Sequence, residues 1–95
     1  MKHYVLLKLA PGADVESVEE KIFKAYDKLD EELEWLNRPA VYRSCTGAAG
    51  GADLMVVVEL DGTDHLEEYL EHPRHLKMQK AIGDSVVSAT TFDHY

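Results

Sequence analysis

Between Tyr69 and His75 the chain reads Tyr-Leu-Glu-His-Pro-Arg-His, which puts one phenol and two imidazoles close together. An unperturbed imidazole titrates near pH 6.5, so His75 is suited to remove a proton next to a carbonyl at neutral pH. A phenol such as Tyr69 can donate a hydrogen bond to the oxygen on which charge then gathers. A plainer assignment fits the same residues: His75 bonds a backbone carbonyl or caps a helix, and Tyr69 fills core with its hydroxyl at the rim. His72 and His75 stand three apart, but Pro73 interrupts regular helix there and no third ligand lies nearby, so no metal site is expected. Cys45 is the only cysteine; it reads as a small buried apolar residue and excludes a disulfide within one chain. Gly47-Ala48-Ala49-Gly50-Gly51 lacks the Lys-Ser/Thr that a phosphate-cradling loop requires.

Those side chains need elements to hold them. His3 to Leu9 reads as a first strand, ended by Pro11-Gly12. Asp14 is placed to cap a helix whose apolar stripe runs Val15, Val18, Ile22, Tyr26, Leu29, Leu33, Leu36, about six turns. Pro39 closes that segment. Val41 to Thr46 reads as a second strand and Asp53 to Leu60 as a third. Asp61-Gly62-Thr63-Asp64 is a turn, with Asp64 available to cap the next helix. Pro73 breaks that helix and starts another, which runs to about Ile82 before Gly83. Val86 to Asp93 reads as a fourth strand. The order β-α-β-β-α-β predicts an α+β, ferredoxin-like fold with a four-stranded antiparallel sheet and helices on one face.

The 95 residues suffice for one domain, 1–95. Eighteen acids against ten bases give a formal charge of -8, which disfavours nucleic acid as a partner. No apolar run is long enough to span a bilayer, and no basic leader precedes the first strand. A cytoplasmic protein is expected, with no membrane partner.

The strands are apolar on both sides. Leu54, Val56, Val58 and Leu60 alternate with Met55 and Val57; Val5, Leu7 and Leu9 alternate with Tyr4 and Leu6. Helices cover one sheet face, so a second copy is expected to cover the other, through Leu6, Leu54, Val56 and Val58. Burying four such side chains is worth on the order of 6–10 kcal/mol per chain before ordering costs. The start of the first strand and the end of the last meet in an antiparallel pair, which puts His3 and Asp93 at one end. If that parity faces the helices, Val5, Met55, Val57 and the stripe residue Tyr26 join them around an apolar cavity with polar groups at one end.

The chain resembles the stress-responsive A/B barrel (Dabb) family over nearly its whole length. The likeness rests on His3 and the apolar strand ending Lys8-Leu9, on Asp53-Leu54, on Tyr69-Leu70-Glu71-His72-Pro73-x-His75 and on Phe92-Asp93. It implies a dimeric α+β barrel. The motif residues also resemble those of a plant polyketide cyclase of that family, olivetolic acid cyclase. That likeness implies Tyr69 and His75 as a catalytic pair and His3, Tyr26 and Asp93 as pocket residues, with no cofactor. Asp53 stands where the cyclase has a histidine. Two functions follow: a homodimer that binds a small organic molecule without chemistry, or a cofactor-independent cyclase or aldol-type lyase with His75 as base and Tyr69 as donor.

Overall fold

The computed structural model describes residues 1–47 and 49–95. Four strands form one antiparallel sheet: β1 (Lys2–Leu9), β2 (Leu36–Arg43), β3 (Leu54–Leu60) and β4 (Val86–His94), in the order β2-β3-β1-β4. Helices α1 (Val15–Glu32), α2 (Leu66–Glu71) and α3 (Pro73–Ile82) cover one face; single 3-10 turns sit at Thr63–His65 and Gly83–Ser85. The fold is α+β as the element order requires, with the last helical segment divided by Pro73.

Local chemistry explains most boundaries. Asp14 accepts a hydrogen bond from the Ser17 backbone N–H at 3.2 Å and caps α1. His72 is extended, as a residue before proline must be, and its Nδ1 accepts from the Arg74 N–H at 3.1 Å to cap α3. Asp64 makes no cap: it lies inside the 3-10 turn, and α2 begins without a side-chain cap bond.

Two elements, α1 and β2, differ from the sequence expectation by more than one residue. α1 ends at Glu32, and Leu36 begins β2 opposite Leu60 instead of ending the helix. Leu33 and Leu36 continue the helical spacing only because the turn and the strand start each need an apolar anchor. β2 is Leu36–Arg43 and not Val41 to Thr46, with Pro39 inside it. An edge strand tolerates the missing N–H, and the register shifts between Asn37 and Ala40 around it. Arg38, in that bulge, takes φ 51, the left-handed region. Cys45 is exposed, not buried. Ala48, in the glycine-rich loop, lies outside the described residues.

The register decides which faces meet. His3 lies opposite Val58, Val5 opposite Val56 and Leu7 opposite Leu54. Odd residues of β1 therefore share a face with even residues of β3. That face lies under the helices: Leu54, Val56 and Val58 are 1%, 4% and 0% exposed within one chain. They are core and do not form the outer face assigned to them from the sequence. Met55 and Val57, expected in the cavity, pair with Leu6 and Tyr4 on the opposite face. The outer face thus carries Tyr4, Leu6, Tyr42, Met55, Val57 and Phe92. Leu6, Tyr42 and Phe92 are 39%, 57% and 63% exposed there.

Candidate functional site

β1 and β4 share parity, so the inner row of one continues into the other: His3 opposite Asp93, Val5 opposite Thr91, Leu7 opposite Ala89. Helices α1 and α3 stand over this row. Between them is a cavity of about 320 Å³. The sheet contributes His3, Val5, Val56, Ala89 and Thr91; α1 contributes Ile22 and Tyr26; α3 contributes His75, Met78, Gln79 and Ile82. Small side chains at 89 and 91 leave the space open along β4. Such a hollow, mostly apolar with a few polar groups, is the usual form of a small-molecule site.

Two buried imidazoles are set in its wall. His3 is 3% exposed, and its Nδ1 bonds the Asp93 carboxylate. A carboxylate accepts, so Nδ1 carries the proton. Nε2 is buried and has no hydrogen-bond partner among the described residues. Leaving such an atom unpaired costs about 1–3 kcal/mol, a cost that core packing alone gives no reason to keep. His75 is 4% exposed, and its Nδ1–H donates to the Leu70 carbonyl at 3.1 Å. Burial pushes the His75 pKa down; the Leu70 carbonyl pulls the other way, and nearby His3 and His72 add to the lowering. A neutral His75 therefore keeps an unprotonated Nε2, the form a general base requires.

The tyrosines are arranged differently from the sequence expectation. Tyr69 is fully buried, behind the cavity wall, with its ring 5.5 Å from that of His3 and 4.7 Å from that of His75 (centroid distances). Its hydroxyl hydrogen-bonds the hydroxyl of Tyr26. Burial raises both phenols, Tyr26 to about 12, so each keeps its proton at neutral pH. One bond between two hydroxyls uses one proton and leaves the other free to donate. Tyr26 borders the cavity, so it is the member of the pair placed to meet a ligand.

His3, Val5, Tyr26 and His75 are brought together around the cavity, with Tyr69 in the layer behind. Asp93 is exposed and holds His3 from the sheet edge. Met55 and Val57 are excluded by the register, and Val56 takes their place. Met78 reads from the sequence as core or pocket lining, while Gln79 and Ile82 are not assigned to the site there. Their signal was present: they follow His75 at three, four and seven residues, one face of a helix. No group of three or more His, Cys, Asp or Glu among the described residues is arranged to hold a metal ion. No helix among the described residues is long and apolar enough to cross a membrane.

The fold and the cavity define a class of small α+β proteins in which helices cover one face of a four-stranded sheet. The chain belongs to the stress responsive A/B barrel domain family, whose model matches residues 1–95. A dimeric protein of unknown function and ferredoxin-like fold from Bacteroides fragilis NCTC 9343 superposes with a TM-score of 0.83 at 24% identity, covering 98% of this chain and 92% of that one. A dimeric ferredoxin-like protein of unknown function from Thermobifida fusca gives 0.78 at 25% identity, with 96% and 85% covered. Hydroxynitrile lyase from Passiflora edulis shares the fold at a TM-score of 0.76 and 10% identity, over 98% and 89% of the two chains. No curated protein matches the chain significantly.

Proposed function

We propose that the protein is a cytoplasmic homodimer whose subunits each bind a small organic molecule in the cavity between sheet and helices. The observation that carries this is a mostly apolar cavity in whose wall stands His3, a buried imidazole with an unpartnered Nε2. The ligand class that suits it has an apolar body and a hydroxyl proton to give to that nitrogen. Phenols and the enol forms of β-keto acids have this form. Dimerisation uses the outer sheet face, and its support is the exposed apolar row together with the dimeric neighbours of the same fold. Titration with a panel of small phenols, followed by amide and imidazole NMR shifts, tests the reading. Saturable shifts at His3, Val5 and Thr91 that vanish in His3→Phe are expected. Shifts scattered over the surface, or kept unchanged in that variant, would overturn it.

A second reading is favoured by the state of His75. Its Nδ1 is committed to Leu70, its pKa is lowered and its ring borders the cavity. As a cofactor-independent cyclase or aldol-type lyase, the protein would use His75 Nε2 to take a proton from carbon next to a carbonyl. Tyr69, acting through the Tyr26 hydroxyl, would stabilise the enolate oxygen. An enzyme among the neighbours of the fold also supports this reading. Exchange of the α-protons of a bound β-keto acid into deuterated water is the direct test. Exchange above the buffer rate that is lost in His75→Ala supports catalysis, and no exchange with ligand bound leaves binding alone.

A further inference from the structure

On the far side of α3 from the cavity, α1 and α3 border a groove of about 360 Å³. Its charged wall is Lys21, Lys24 and Lys28 from α1 with Arg74 and Lys77 from α3. These are half of the ten lysines and arginines in a chain of net charge -8, and among the described residues no carboxylate lines the groove. Spacings of three, four and seven set each group on one helix face, so like charges stand one turn apart. That arrangement is destabilising unless something neutralises it.

Three of the cations are tethered from outside the groove. Lys24 pairs with Glu20 at 3.0 Å, Lys28 with Glu31 at 3.4 Å and Arg74 with Glu32 at 2.6 Å. The Arg74 Nε also donates to Glu32, at 2.8 Å, which fixes the guanidinium plane. Lys21 and Lys77 have no carboxylate within 4.0 Å among the described residues. Two unpaired ammonium groups therefore face a hollow whose other cations are held in place, in a protein with eight more acids than bases.

We propose that this groove binds a compact multivalent anion with two or more contiguous phosphates. The size and the field select such a ligand. Screening limits a charge to about 8 Å at physiological salt, so a compact anion in the groove meets the five cations, the Glu20, Glu31 and Glu32 partners of three of them, and little of the acidic surface beyond. A long polyanion cannot avoid that surface. Met78 and Ala81 supply an apolar floor against which an attached ring can lie. Met78 also borders the cavity, so an occupant of the groove touches the helix that carries His75.

Isothermal titration with inorganic triphosphate and, separately, with adenosine triphosphate, at about 50 mM salt, tests the proposal. Saturable one-site binding of either is expected; tighter binding of the nucleotide assigns the apolar floor to its base, and equal binding assigns recognition to the phosphates. Lys21→Ala and Lys77→Ala should each weaken binding by at least about fivefold. Lys80→Ala, on α3 but outside the groove, should change it by less than about twofold. All three positions are exposed, so circular dichroism should show unchanged folding. Absence of saturable binding, equal loss in Lys80→Ala, or tighter binding of duplex DNA than of triphosphate would each overturn the assignment.

Discussion

Burial lowers the pKa of His75, which makes this residue a stability sensor as well as a candidate base. The unfolded chain binds a proton at His75 near pH 6.5, and the folded chain does so only at lower pH. The contribution is therefore complete above about pH 6.5 and is lost as pH falls towards the lowered folded value. Urea midpoints at about pH 7.5 and pH 5.5 should show the wild type losing stability on acidification, and His75→Gln losing less. The paired hydroxyls give a second expectation. Tyr69→Phe leaves the Tyr26 hydroxyl unpartnered and should cost about 1–3 kcal/mol. Tyr69→Phe with Tyr26→Phe removes both partners and should cost less than the sum of the two single changes. Chemical denaturation of the four proteins in that cycle measures the coupling. The candidate site was legible at this scale in residue types: His3, Tyr26 and His75 were named and do border one cavity. The layering was not legible. Nothing in the spacing of Tyr69 and His75 shows that one borders the cavity while the other lies behind its wall.

At the scale of elements, what could be read was whatever depends on neighbours in sequence. The Asp14 cap, the break at Pro73 and the alternation within β3 are local, and all three are present. The pairing between strands is not local. Alternation shows that Val56 and Val57 point apart; only the register of β1 against β3 says which of them meets the helices. The β2 bulge at Arg38 and Pro39 is likewise decided by the partner strand, which is why a proline that looked like an ending lies inside a strand. The register makes a prediction that separates the two assignments. Val58→Asp buries an unpaired carboxylate at a position 0% exposed and should leave little folded protein. Val57→Asp, on the other face, should keep the fold by circular dichroism. A reversed outcome would mean that the sheet pairs one residue out of step.

For the whole molecule, the question is what becomes of the outer sheet face. Tyr4, Leu6, Met55, Val57 and Phe92 form a continuous apolar row there, with Tyr42 beside it on β2. Tyr4 stacks on His94 at 5.5 Å and lies 6.3 Å from Phe92, so the aromatic end of the row is already ordered within one chain. Preordering lowers the entropy cost of association, and an apolar face of this kind is what a two-fold sheet-on-sheet contact needs. Lys2 and Lys8 share this face along β1, as does Glu59 on β3. The homodimer should therefore persist at low micromolar concentration by light scattering. Leu6→Asp should shift it to monomer while leaving the cavity and its ligand titration intact, because Leu6 points away from His3 and His75. If Leu6→Asp stays dimeric but Phe23→Asp, on the outer side of α1, does not, the contact runs through the helices, and the sheet face needs another explanation.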